Sequence, residues 1–262
     1  MRSYVARTLP GRGLLALMLC ALAGGGLLTS VAHAEGPSLV DSDFEQNDSG
    51  KELRAREDPQ GWYESRRDGK TGRLQLKRST KKIGRNSTRK AMLKANKEHN
   101  TYLSQRFSQP IREQLSLQWD IYVREILPNY NRSAFQMVGN AAVRGRGPNG
   151  SSPERFVFLA FENAPRPGNV NLFAFEGKDP DHWDARTLLV RDLDLKKWHT
   201  IAVDIDIAEK CYWVSVPGVT EEPIRVQSFH YKGETPDVLT HVSFATWNDG
   251  PGTFYIDNVY VR

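Results

Sequence analysis

Two segments of alternating apolar and polar residues place the strongest constraint on how this chain can fold. In Leu115–Val123 the apolar positions are Leu115, Leu117, Trp119, Ile121 and Val123. In Trp198–Ile207 the apolar positions Ile201, Val203, Ile205 and Ile207 follow the same spacing. Because successive side chains of a β-strand point to opposite faces, a period of two predicts strands with one buried face and one wet face.

Further apolar runs of strand length extend this pattern over the rest of the chain. They predict strands at 155–161, 170–176, 187–190, 212–216, 224–229, 241–247 and 253–261, with the turn-rich Asn248–Gly252 closing a hairpin between the last two. One short helix is predicted over Lys90–Ala95, capped by Ser87 or Thr88. Many short strands with few or no helices predict an all-β, two-sheet antiparallel sandwich.

The first 34 residues are typical of a secretory signal peptide. Arg2, Arg7 and Arg12 precede the apolar stretch Leu14–Leu28, and Ala32-His33-Ala34 supplies a cleavage site of small residues. The apolar stretch is shorter than the ~20 residues that a spanning helix needs. We therefore predict that residues 1–34 are removed. A single domain at 35–262 with no transmembrane segment would then be secreted or periplasmic.

Charge is distributed unevenly along the chain. Residues 51–112 hold 18 Lys and Arg against 6 Asp and Glu, whereas residues 151–262 hold 11 against 17. A basic region of this kind favours a polyanionic partner, and outside the cell the candidates are acidic polysaccharide, lipopolysaccharide or DNA. The alternative is a solvated basic surface without a specific partner, and no motif indicates specific nucleic-acid binding.

Cysteine usage excludes two ways of stabilising a small exported domain. Cys211 is the single cysteine after residue 34, so no internal disulfide can form, and no Cys and His residues have the spacing of a zinc site. The apolar neighbours of Cys211 favour a buried position over a nucleophilic role. The hydrophobic core therefore has to hold the domain together.

Short motifs at both ends and in the middle of the chain resemble the concanavalin A-like, laminin G-like jelly rolls of lectins and glucanases. Trp198–Asp204 followed by Tyr212–Gly218 resembles two of their strands, and Phe254–Val259 resembles their closing strand. Asp43–Glu45, with Gly61-Trp62 soon after, resembles their first strand. The resemblance implies a jelly roll, a fold that hosts lectins, glycoside hydrolases and polysaccharide lyases, so the site has to decide the function.

The motifs of the enzymes of this fold match poorly. Asp204–Glu209 resembles the catalytic strand of laminarinase-type hydrolases, but Asp replaces the first Glu and the segment falls on the wrong strand. A lyase needs a group that neutralises a uronate and a Tyr or His base, for which the basic region offers His99, Tyr102, Arg106 and Arg112. The arginine-rich and Gln-x-His motifs of alginate lyases of this fold are absent. We predict no catalytic residue.

Binding without catalysis requires exposed aromatic rings beside polar groups, since sugars stack on the first and hydrogen-bond to the second. The predicted carbohydrate-binding residues are Tyr102, Arg106, Gln118, Asp120, Tyr122, Trp62 and Trp183. The alternative for each Trp is packing over the edge of the core, and for Tyr102 and Arg106 a solvated surface.

The resemblance also implies a structural calcium ion. In related jelly rolls such an ion ties the first strand to the last, and the matching residues here are Glu45 and Asp257, with Asp43 as a helper. The alternative is that Asp257 hydrogen-bonds within the terminal strand.

We predict an exported domain that binds a polysaccharide or glycan, with acidic polysaccharide preferred. A lyase or glycoside hydrolase of this fold, and a structural or adhesive surface protein, are the alternatives.

Overall fold

Fourteen β-strands account for the regular structure of the described residues in this computed structural model. These residues are 38–40, 44, 61–64, 73–78, 82–95, 101–127, 132–140, 155–177, 181–182, 184–229, 235–246 and 252–262. The strands are β1 Tyr63–Glu64, β2 Arg73–Arg78, β3 Arg89–Ala95, β4 Thr101–Ile111, β5 Gln114–Ile126, β6 Arg132–Gly139, β7 Arg155–Asn163, β8 Asn169–Phe175, β9 Arg186–Asp194, β10 Trp198–Asp206, β11 Cys211–Ser215, β12 Ile224–Gln227, β13 Leu239–Thr246 and β14 Gly252–Val261.

The strands form two seven-stranded sheets. Sheet I has the order β1-β4-β13-β6-β7-β8-β9, and sheet II has the order β12-β11-β10-β5-β14-β3-β2. Neighbouring strands are antiparallel in both sheets. The described residues contain no helix, so none of them forms a segment of the helical length and apolar character that a membrane span requires. The predicted all-β sandwich is confirmed.

The two alternating segments form strands with one buried row each, as their pattern predicts, and the two strands are neighbours in sheet II. Strand β5 pairs with β10 in a continuous register from Trp198 opposite Tyr122 to Asp206 opposite Gln114. The apolar row of each strand is buried, with Trp119 and Ile201 fully enclosed. The polar row between them faces away from sheet I. We call this side of each sheet, the side away from the other sheet, its outer face.

The predicted helix over Lys90–Ala95 is wrong, because this segment lies within strand β3. Ala91 and Leu93 alternate into the core, while Lys90, Met92 and Lys94 occupy the opposite face. Pairing with β14 on one side and β2 on the other supplies more hydrogen bonds and burial than an isolated turn of helix. The favourable helix propensities of Lys, Ala, Met and Leu are therefore overridden by the sheet.

The main core lies between the sheets and is closed by large aromatic residues. Trp119 of sheet II meets Phe244 of sheet I edge to face, with ring centroids 5.7 Å apart. Phe44 and Trp62 extend this row, and both are fully buried.

The described residues all belong to one unit, Gly36–Arg262. The predicted hairpin between the last two strands is wrong, because β13 belongs to sheet I and β14 to sheet II, so the chain crosses from one sheet to the other between them. Residues 1–34 and the connecting residues 248–251 lie outside the described residues.

Candidate functional site

Three polar side chains from three neighbouring strands lie on the outer face of sheet I, where strand β1 forms its edge. Tyr63 of β1 is opposite Ser104 of β4, and Arg106 of β4 is opposite His241 of β13. Leu103, the residue before Ser104, points into the core, so these opposed pairs point outward. We call Tyr63, Arg106 and His241 the edge cluster.

Burial and one positive charge determine the protonation states of the edge cluster. Tyr63 is 6% exposed and His241 is 5% exposed, whereas Arg106 is exposed. Burial raises the pKa of Tyr63 to about 12, against the opposing effect of Arg106. Burial, reinforced by Arg106, lowers the pKa of His241 to about 4. At neutral pH the cluster therefore combines a protonated phenol, a neutral imidazole and one guanidinium cation.

The hydrogen bonds around the cluster fix its surroundings but leave its own groups available. The Ser104 and Ser243 hydroxyls, between Tyr63 and His241, bond to each other. The Thr240 hydroxyl lies 2.7 Å from Nδ1 of His241. Within the described part of the chain, the Tyr63 hydroxyl, the Arg106 guanidinium and Nε2 of His241 have no hydrogen-bond or ion-pair partner.

The middle of the same outer face is filled by a second hydrophobic cluster. The rings of Phe135, Phe158, Phe175 and Phe229 pack together, with centroids 4.5 Å apart for Phe158 and Phe175. All four are buried. Phe229, which follows strand β12 of the other sheet, reaches this face and hydrogen-bonds through its backbone nitrogen to the Phe156 carbonyl oxygen.

Arginines surround this hydrophobic cluster. The guanidinium of Arg155 lies 4.3 Å from the centroid of Phe158, and that of Arg132 lies 5.6 Å from the centroid of Phe175. Arg186 stacks on Phe173 and pairs with the Glu162 carboxylate at 2.9 Å. Together with Arg106, these arginines place four guanidinium groups on the outer face of sheet I, one of which is paired with a carboxylate.

The predicted carbohydrate-binding residues do not form one site, because they lie on opposite sides of the sandwich. Tyr102 and Arg106 are on the outer face of sheet I, and Tyr102 is mostly buried against the phenylalanine cluster. Gln118, Asp120 and Tyr122 share the outer face of sheet II.

The sheet II residues of this set have contacts of their own. The Asp120 carboxylate accepts hydrogen bonds from the Thr200 hydroxyl at 2.6 Å and the Asn258 amide at 2.8 Å. The Tyr122 ring packs against Trp198 and Tyr255, with centroids 5.4 and 5.9 Å away. Asp120 and Tyr122 are therefore held by the protein itself, while Gln118 is exposed.

Of the two tryptophans predicted to bind carbohydrate, the structure describes Trp62 but not Trp183. Trp62 is fully buried between Phe44 and Phe244, with centroids 5.2 and 6.0 Å away. A ring without exposed surface offers no face to a sugar, so Trp62 takes the packing role and not the predicted binding role. Trp183 lies outside the described residues.

The segment 82–88 covers part of the outer face of sheet II. The indole nitrogen of Trp198 donates to the Ile83 carbonyl oxygen at 2.7 Å. Gly84, at φ +59°, lies so close that a Cβ there would be 3.1 Å from the Trp198 ring. The Asn86 amide donates to Oδ2 of Asp257 at 2.6 Å. This cover and the contacts of Tyr122 occupy part of the surface on which a sugar would stack.

Asp257 is the one predicted calcium ligand within the described residues. Its Oδ2 also accepts from the Thr88 hydroxyl at 2.8 Å, and its Oδ1 accepts from the Asn258 backbone nitrogen at 3.0 Å. These hydrogen bonds engage both oxygens of the Asp257 carboxylate, in agreement with the alternative in which Asp257 has a hydrogen-bonding role. No group of three or more His, Cys, Asp or Glu in the described ranges is placed to hold a metal ion. Asp43 and Glu45 lie outside those ranges, so the calcium site stays a prediction.

Comparison with known proteins identifies the fold. No protein-family model and no curated protein matches the sequence. Among solved structures, a carbohydrate esterase from the Shiga toxin-encoding bacteriophage phi24B is similar, with a TM-score of 0.54, 14% identity, and coverage of 86% of this chain and 97% of that one. The catalytic domain of a glycoside hydrolase family 131 protein from Coprinopsis cinerea has a TM-score of 0.51 and 14% identity, over 87% of this chain and 94% of that one.

A sialidase is similar over 86% of this chain, with a TM-score of 0.53 and 12% identity, but the match spans only 18% of the sialidase. The protein has the concanavalin A-like jelly-roll fold that its motifs resemble. At these identities the likeness establishes the fold alone.

Sequence reasoning missed two of the three residues of the edge cluster. Tyr63 lies in a strand of two residues, which is too short to show a periodic pattern. His241 begins a predicted strand, but a single sequence gives no indication of the strand that lies beside it. Arg106 was predicted as a binding residue and lies in the cluster.

Proposed function

We propose that the protein binds an acidic polysaccharide through the outer face of sheet I. The observation that carries this proposal is the edge cluster, where the exposed Arg106 guanidinium lies beside the Tyr63 hydroxyl and Nε2 of His241, two groups without a hydrogen-bond partner in the described part of the chain. The folds of the similar carbohydrate esterase and glycoside hydrolase family 131 domain are compatible with a saccharide ligand.

The direct test compares Arg106→Ala with Arg225→Ala. Arg225 is an exposed arginine of strand β12 in sheet II, so its removal changes the net charge equally but on the other side of the sandwich. We expect Arg106→Ala to weaken binding of polygalacturonate by about tenfold or more, because a hydrogen bond to a charged group contributes about 1.5–3 kcal/mol. Arg225→Ala should have little effect, and a neutral glucan should not bind. Equal losses for the two variants would contradict the proposal.

The proposed place of binding is outside the cytoplasm, since residues 1–34 have the pattern of a signal peptide. Amino-terminal sequencing of the exported protein should begin at Glu35. A protein recovered from the cytoplasmic fraction with Met1 still in place would contradict export.

A second candidate function, β-elimination of a uronate polymer, is favoured by the neutral His241 beside Tyr63 and Arg106. In that reaction His241 would take the proton next to the carboxylate that Arg106 neutralises. The C–O bond to the next sugar would then break, a C=C bond would form, and Tyr63 would donate a proton to the leaving oxygen. New ultraviolet absorbance from an unsaturated uronate would establish this activity, and its absence with bound polymer supports binding alone.

A further inference from the structure

We infer that the edge cluster is a recognition site for the carboxylate of a uronic acid, and not for a sulfate or phosphate ester. This inference rests on the proposed function and names the acidic group that the binding face selects. The evidence is the set of donors that Tyr63, Arg106 and His241 present together on the face.

Two of the donors are held in place by packed side chains and are not used by the protein itself. The Tyr63 hydroxyl and Nε2 of His241 belong to side chains that are more than nine-tenths buried, and neither has a partner in the described structure. Neither atom belongs to the buried side-chain atoms that lack a partner, so both remain accessible to an arriving acceptor. The ring atoms of both residues are packed, so little conformational entropy would be lost on binding.

The number and kind of donors match a carboxylate. The planar guanidinium of Arg106 binds both oxygens of a carboxylate with two parallel hydrogen bonds. One further hydrogen bond from Tyr63 and one from His241 then satisfy the remaining lone pairs. A sulfate ester would bring a third terminal oxygen, for which the cluster offers no donor. A carboxylate is also the more basic acceptor, so it gains more from the two uncharged donors.

The inference requires the proton of the neutral His241 ring to be on Nε2. The Thr240 hydroxyl donates to Nδ1 in that tautomer, at the observed distance of 2.7 Å. In the other tautomer Nδ1 donates to Thr240, whose hydroxyl then turns toward Asn140 Oδ1 at 3.4 Å. The first arrangement gives a donor for a carboxylate, and the second gives a proton acceptor for elimination.

The experiment measures binding of polygalacturonate, its methyl ester and a sulfated polysaccharide to the wild type, Tyr63→Phe and Tyr122→Phe. Tyr122 is the control, because its hydroxyl lies on the outer face of sheet II. We expect the wild type to prefer polygalacturonate over both other polymers. Tyr63→Phe should weaken that binding by about threefold to tenfold, as expected for one hydrogen bond, and leave binding of the sulfated polymer unchanged. Tyr122→Phe should behave like the wild type.

The possible failures are distinguishable. Preference for the sulfated polymer, or equal binding by Tyr63→Phe and Tyr122→Phe, overturns the carboxylate assignment while the proposed function stands. Failure of every acidic polymer to bind overturns both. Nitrogen-15 chemical shifts of the His241 ring should show the proton on Nε2, and a proton on Nδ1 overturns its assignment as a donor.

Discussion

Acid should destabilise this protein through His241. The imidazole has its ordinary pKa of 6.5 in the unfolded chain and a pKa lowered to about 4 in the folded protein by burial and by Arg106. As the pH falls below 6.5, the unfolded state therefore takes up a proton first, and the free energy of unfolding decreases until the folded state is protonated as well. The full contribution of His241 is present above pH 6.5.

The two pKa values give the size of the effect. Linkage predicts a loss of about 2 kcal/mol at pH 5 and about 3 kcal/mol at pH 4, relative to pH 7. Other groups also titrate in this range, including His199, whose pKa is lowered by burial. The useful quantity is thus the difference in the free energy of unfolding between the wild type and His241→Gln, because groups common to both proteins cancel.

Urea denaturation at pH 7, 5 and 4 measures that difference. His241→Gln should gain stability relative to the wild type by about 2 kcal/mol from pH 7 to pH 5 and by about 3 kcal/mol from pH 7 to pH 4. A difference that stays constant from pH 7 to pH 4 would refute the reasoning. It would mean that the folded protein protonates His241 as readily as the unfolded chain does.

Three further predictions concern packing and metal binding. Trp62→Ala should lower the free energy of unfolding by about 3–5 kcal/mol in urea denaturation, because it leaves a cavity beside Phe244, and a loss under 1 kcal/mol would contradict this role. Gly177→Ala should cost about 1–3 kcal/mol more than Gly168→Ala. Both glycines have positive φ, but only at Gly177 would a Cβ overlap another side chain, the ring of Phe229; equal costs would contradict the overlap. If Asp43, Glu45 and Asp257 hold calcium, thermal melts should show a higher midpoint with Ca²⁺ than with a chelator, and identical midpoints would remove the site.

The local alternation of apolar and polar residues was sufficient to predict those strands that have one buried face and one solvent-exposed face. The alternation in Leu115–Val123 and Trp198–Ile207 identifies both the strands and their buried rows, because one side of each meets the core and the other meets solvent. The same reasoning failed for β3. The long side chains of its Lys and Met residues are compatible with a helix and with a strand. Only pairing with the neighbouring strands β2 and β14 determines that the segment is a strand.

The candidate site could be predicted only in part, since it depends on which strands become neighbours. Arg106 was identified by its charge and its place on a strand face. Tyr63 and His241 join it because β1 and β13 flank β4, and the strand order of a sandwich is not encoded in any local period. The binding role of Trp62 was wrong for a related reason. A tryptophan in a turn-rich segment can cover the core or face a ligand, and the approach of Phe44 decides for the core.

The hydrogen bond between Asn86 and Asp257 has a consequence for recombinant production. Asn86-Ser87-Thr88 is a sequon for N-glycosylation, and the amide nitrogen that would carry the glycan is the atom that donates to Asp257. Asp257 is buried, so a glycan on this nitrogen would be attached directly beside a buried carboxylate. A yeast or mammalian secretion host that glycosylates Asn86 should therefore weaken the contact between segment 82–88 and strand β14, whereas a bacterial host without this modification preserves it.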